Sequence, residues 1–159
     1  MPKPVLIFGY GNLSRGDDAL GPLALAYIEG HADLASVDLL DDFQLQIEHA
    51  LDLEQRALVL FVDASVNCNG AFAFAELTAA KDDSYTTHAM SPAAVLAVYQ
   101  TIKHQPPPPC FLLSIKGEHF ELGEGLSAEA DGHLAEACQF LQRLLADLDV
   151  AAWRCLLSP

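Results

Sequence analysis

The segment ALVLFVDA, Ala57 to Ala64, carries six apolar residues in unbroken succession before its first charged side chain, Asp63. A membrane span needs about 20 such residues, and a helix with one wet face would break the run every third or fourth position. The run therefore reads as a strand covered on both faces, which occurs in sheets sandwiched by helices. Val5 to Phe8, ending in glycine, and Cys110 to Ile115 are runs of the same kind, and Val37 to Leu40 adds another strand. Ala71 to Leu77 alternates alanine with Phe72 and Phe74 before polar Glu76, the pattern of an edge strand with a wetter face.

Helix-length segments separate these strands. Ala19 to Ile28 suits a helix capped by Asp17 or Asp18, and Gln44 to Leu53 suits a short one. SPAAVLAVYQTIKH opens with Ser91 as N-cap and Pro92 at the first helical position, and Pro106 to Pro109 end that helix as a stiff connector. Ser127 to about Leu148 reads as a closing amphipathic helix weakened by Gly132, while Asp149 to Pro159 has no clear assignment. Strands alternating with helices predict an α/β fold: a three-layer sandwich, its small, twisted, largely parallel or mixed sheet having helices on both faces. At 159 residues the chain suits one domain, 1–159, which buries roughly two-thirds of its unfolded surface.

Eight Lys and Arg against 22 Asp and Glu give a net charge of −14, which repels nucleic acid and anionic membrane surfaces. No run is long enough to span a membrane, and the opening MPKPVLIFGYG lacks signal-peptide architecture, so a soluble cytoplasmic protein is expected. Cys68, Cys110, Cys138 and Cys155 form no CxxC pair, which excludes a zinc ribbon or a thioredoxin-type site; they are expected reduced and mostly buried.

Right-handed crossovers would make the first three strands parallel, so the loop after Phe8 and the strand end at Val62 share the carboxyl edge, where ligands bind in such sheets. The loop is FGYGNLSRGDDALG. As a dinucleotide loop it fails: Ser14 stands where the third glycine belongs, and two carboxylates would face the pyrophosphate. Only one of Asp17 and Asp18 can cap a helix, which leaves the other for a cation site shared with Asp63. His88, in SYTTHAMSPAAV before a helix, completes a set that suits a borderline ion such as nickel or zinc. A Ser14–His88–Asp63 triad is the competing arrangement, but no GxSxG elbow accompanies it.

GYGNLSRGDDALGP, LLDDFQLQIEHALDL, LVLFVDAS, TTHAMSPAAVL and IKGEHFELGEGLS, in that order, resemble the nickel–iron hydrogenase maturation proteases from about Val5 to Leu145. The resemblance implies an endopeptidase that removes a C-terminal extension from the hydrogenase large-subunit precursor once nickel is installed. It implies an α/β sandwich and places metal contacts, and with them catalysis, on Asp18, Asp63 and His88. At the first position many relatives carry Glu, one methylene longer than this Asp. Asp41, after the second strand, matches an acidic position tied to cleavage or substrate recognition. The family is grouped with aspartic peptidases, although no paired DTG motif is present here. On this reading nickel comes with the precursor, Asp17 or Asp41 is left for proton transfer or substrate contact, and the free protein is expected to be a monomer. Two rivals stand beside it: a nickel-dependent assembly factor that does not hydrolyse, and a nucleotide-binding α/β domain.

Overall fold

A computed structural model of the chain describes residues 1–81 and 90–159. Strands β1 (Val5–Tyr10), β2 (Val37–Asp42), β3 (Leu58–Ser65), β4 (Phe72–Glu76) and β5 (Cys110–Lys116) form one sheet in the order β2-β1-β3-β5-β4. The first four strands in that order run parallel, and β4 closes the far edge antiparallel to β5. All six residues of β1 and the first five of β3 are buried, as their unbroken apolar character requires of strands covered on both faces.

The two-residue period of the strands divides the core. Val5, Ile7, Leu60 and Val62 face α1 (Leu20–His31) and α3 (Ala128–Ala146), joined by Trp153 from α4 (Val150–Arg154). Leu6, Phe8, Tyr10, Val59 and Phe61 face the opposite layer, built from a 3-10 helix (Ile47–Leu53) and α2 (Pro92–Lys103). The mixed-sheet α/β sandwich expected from the alternation is present, with helices on both faces.

Local chemistry explains most element ends. The Ser91 and Ser127 hydroxyls accept from the Ala94 and Ala130 amides and start α2 and α3. The segment read as a short helix from Gln44 is instead a tight 3-10 helix, begun by a reciprocal cap between Gln46 and His49. The unassigned C-terminus contributes α4, because the Trp153 indole N–H reaches the Leu144 and Asp147 carbonyls at 3.0 Å while its ring is fully buried. Ser158 then hydrogen-bonds Phe74 twice and covers the outer edge of β4. All four cysteines are free; Cys68, Cys110 and Cys138 are buried and Cys155 is exposed. No helix among the described residues is long and apolar enough to cross a membrane.

Candidate active site

Asp63 is the residue at which β3 emerges from the core. In β1 and β3, Tyr10 and Asp63 follow Phe8 and Phe61 on the α2 face, and the register Gly9–Val62 makes them neighbours across the two strands. The Tyr10 phenol lies beside the Asp63 carboxylate, and the Ala64 amide donates to its Oδ1 at 2.7 Å. Burial drives the Asp63 pKa from 3.8 up to about 7; the Ala64 amide and the Tyr10 phenol oppose the rise and the nearby Asp18 charge adds to it. Burial, then the charges of Asp63 and Asp18, hold the Tyr10 phenol well above its ordinary value, so at neutral pH it stays a neutral donor.

Asp18 reaches the same place from the loop after β1. Gly11 has φ +147°, and a Cβ there would stand 2.0 Å from the Asp18 carbonyl oxygen, so glycine alone lets the loop fold back on Tyr10. The Asn12 amide donates to Asp18 Oδ2 at 2.7 Å; Oδ1 has no hydrogen-bond partner among the described residues. Behind the loop, a Cβ at Gly21 would lie 2.6 Å from the Tyr10 carbonyl and 2.7 Å from that of Val62. This close approach seats the start of α1 directly on the ends of β1 and β3. Asp18, Asp63 and Tyr10 thereby meet at the carboxyl edge, two oxygen-bearing acids around one phenol.

The loop has no cradle for phosphate. The amides of Gly11, Asn12, Ser14, Arg15, Gly16, Asp17 and Asp18 all donate to protein oxygens. A nucleotide-binding loop leaves such amides free for the anion, so this stretch is not built to hold a nucleotide's phosphates.

Asp17 also departs from expectation. It caps no helix and does not face the crevice: its side chain is fully buried. Its carboxylate accepts from the amides of Glu118, His119 and Ser127 and from the Ser127 hydroxyl, at 2.8 to 3.0 Å. Burial raises its pKa, but the four hydrogen bonds outweigh burial and hold it below the ordinary value. An ionised carboxylate with four donors has no role as a base; Asp17 is the pin that fastens the loop before α1 to the segment after β5. This pinning accounts for the GEH of IKGEHFELGEGLS, whose backbone rather than side chains is used.

Asp41 lies inside β2, opposite Gly9, not in a loop beyond it, and its side chain is exposed. With β1 between them, β2 and β3 stand roughly 10 Å apart, too far for Asp41 to share a proton with Asp63's substrate. His88 lies outside the described residues. His49, read as structural, is so: Nδ1 accepts from the Gln46 amide, Nε2 donates to Asp42, and the ring sits edge-on to Phe8. Beside the loop that Asp17 pins, Glu118, His119 and Glu129 bring ligand atoms within 4.8 Å of one another, all three exposed. Tyr10 and Ser127 are the residues sequence reasoning passed over. Tyr10 was recoverable as the polar end of a buried strand, two residues beyond Phe8 just as Asp63 is beyond Phe61.

Leu13, in the loop after β1, and Phe43, directly after β2, are large apolar side chains standing in solvent at 58% and 71% exposure.

No protein-family model matches the chain, and no curated protein sequence matches it. Solved structures do. The hydrogenase maturating endopeptidase HybD from E. coli superposes with a TM-score of 0.68 at 23% identity, over 88% of this chain and 91% of that one. The NiFe hydrogenase maturation protease HycI from Thermococcus kodakarensis gives 0.67 at 19% identity, covering 92% and 94%. A hydrogenase 2 maturation peptidase from a Thaumarchaeota archaeon gives 0.63 at 21%, covering 91% and 97%. Likeness at these identities establishes a shared fold over nearly the whole chain.

Proposed function

We propose that this protein is a processing endopeptidase that removes the C-terminal extension of a nickel-loaded hydrogenase large-subunit precursor. The observation that carries the reading is the meeting of Asp18 and Asp63 at Tyr10, on the carboxyl edge of a fold shared with proteins named hydrogenase maturation endopeptidases. Asp18 supplies a fixed carboxylate with one oxygen unpartnered among the described residues, and on the residue match His88 adds an imidazole. Together with Asp63 they approach nickel already held by the precursor's thiolates, and the metal orients the adjacent peptide bond.

The Tyr10 phenol steadies Asp63 where it meets the metal. Water adds to the scissile carbonyl, a carboxylate oxygen left free by nickel takes its proton, the C–N bond breaks and the proton passes to the leaving amine. Nickel polarises the carbonyl as a Lewis acid. Asp41, remote from this chemistry, contacts the substrate, and Leu13 and Phe43 meet the precursor's surface.

Mass spectrometry of the large subunit, before and after incubation of nickel-loaded precursor with the purified protein, tests the reading. The expected outcome is loss of a C-terminal peptide, slowed at least about 100-fold by Asp63→Asn, the scale of a lost carboxylate at the reacting centre. An unchanged mass with wild-type protein would replace hydrolysis by non-hydrolytic, nickel-dependent assembly. Normal processing by Asp63→Asn would remove Asp63 from the mechanism.

A further inference from the structure

β2 carries no further strand among the described residues, whereas the opposite edge, β4, is covered by Ser158 and by the fork of Arg154 on Glu76. Beside β2 runs a groove of about 490 Å³ lined by apolar Leu23 and Ala26 of α1, Leu34, and Leu39 of β2, together with the acids Glu29, Asp38 and Asp41. At one end stand Leu13 and Asp41, next to the crevice; at the other stands Lys3. The Lys3 ammonium donates to the Leu34 carbonyl at 2.8 Å and has no carboxylate within ion-pair distance among the described residues. Of the acids in the groove, Asp38 is already engaged by the Arg56 guanidinium and the Lys3 backbone amide, which hold its pKa below the ordinary value. The groove thus joins the edge of β2 and a largely apolar trough to a cation at the end away from the crevice.

We propose that this groove receives the severed side of the substrate: an extended, mainly apolar peptide that adds to β2 as an antiparallel strand, its terminal carboxylate on Lys3. The proposal rests on the peptidase reading for the identity of that peptide, the precursor's C-terminal extension. Polarity follows from the topology. β2 runs toward the carboxyl edge, so a chain leaving the crevice C-terminally runs against it. Main-chain hydrogen bonds to an open edge supply affinity, and pockets for alternate side chains supply selection. The six residues of β2 span roughly 17 Å at about 3.3 Å per residue, so about five residues separate the carboxylate from the crevice. Lys3 measures where the substrate ends, and apolar contact along α1 holds what lies between.

The test needs neither nickel nor cleavage. Fluorescence anisotropy compares two labelled hexapeptides of alternating alanine and leucine, one with a free C-terminal carboxylate and one amidated, on the full-length protein. The free acid is expected to bind about fivefold tighter, the scale of one partly exposed ion pair. Lys3→Gln should erase that preference and Lys3→Arg restore it. Leu23→Glu should weaken both peptides while leaving the melting temperature near wild type. Equal binding of acid and amide, a preference that survives Lys3→Gln, or no binding of either peptide would each overturn the proposal. Peptide binding without precursor cleavage would leave the groove standing and refute the peptidase; cleavage without acid preference would do the reverse.

Discussion

Asp17 and Asp18 are adjacent and chemically identical, yet one is a buried anchor and the other lines the crevice. The difference lies in their partners. Asp17 meets three amides and a hydroxyl from residues 118 to 127, whereas among the described residues Asp18 meets only the Asn12 amide and its Oδ1 has no partner. Asp17→Asn replaces one acceptor oxygen by a donor group facing donors, and should destabilise the protein by about 3 kcal/mol, or roughly 10 °C in melting temperature. The pH dependence has a definite sign. Because folding lowers the Asp17 pKa below 3.8, its contribution is present above that value and is lost as pH falls through the lower folded value. The melting-temperature gap between wild type and Asp17→Asn should therefore be full at pH 7 and shrink below about pH 4. A gap that stays constant with pH would mean the carboxylate charge is not what stabilises. Asp63 was legible as a site residue because a polar side chain directly after a buried run must emerge at the strand's end. The role of Asp17 was not, since its partners lie a hundred residues away.

At the scale of elements, the crevice exists because α1 is pressed onto β1 and β3 at Gly21. β1, β3 and β5 were visible as apolar runs and β4 by its alternation, and four of the five strands sit in parallel pairs because long helical connections carry the chain back across the sheet. The seating of α1 was not visible, because glycine in a sequence signals equally a turn, a flexible joint or a close approach. Gly21→Ala places a methyl carbon 2.6 Å and 2.7 Å from two backbone oxygens that cannot rotate away. Either α1 lifts or the strand ends part, and both spread Asp18 from Asp63. Overpacking of this kind costs about 1–3 kcal/mol, so Gly21→Ala should remain folded while losing processing out of proportion to its stability. Thermal melts run beside the precursor assay separate the two effects; undiminished processing would show that the spacing of the two acids tolerates movement. The C-terminal α4 escaped sequence reading for another reason. Five residues carry too little periodicity to announce a helix, and what holds it is the Trp153 indole bonded to carbonyls at the end of α3.

For the molecule as a whole, a net charge of −14 bears on what can enter the crevice. Under the proposed function, a nickel-loaded precursor brings a cation to the acids Asp18 and Asp63, and a nickel-free one brings none. Nickel-free precursor should therefore be left uncut over a period in which loaded precursor is fully processed, and adding nickel to it should restore cleavage. Equal rates on both would remove the metal from recognition while leaving the protease reading intact.

The sequence by itself determined the layers of this protein and the edge where its chemistry lies. Apolar periodicity is a local property, and the first polar residue beyond each buried run names the rim. Tertiary structure alone decided which carboxylate lines the crevice and which is locked in the core, that a tyrosine steadies Asp63, and that β2 borders a trough ending in Lys3. Each of these depends on contacts between residues far apart in the chain, where burial and hydrogen bonding, rather than residue type, set what a side chain can do.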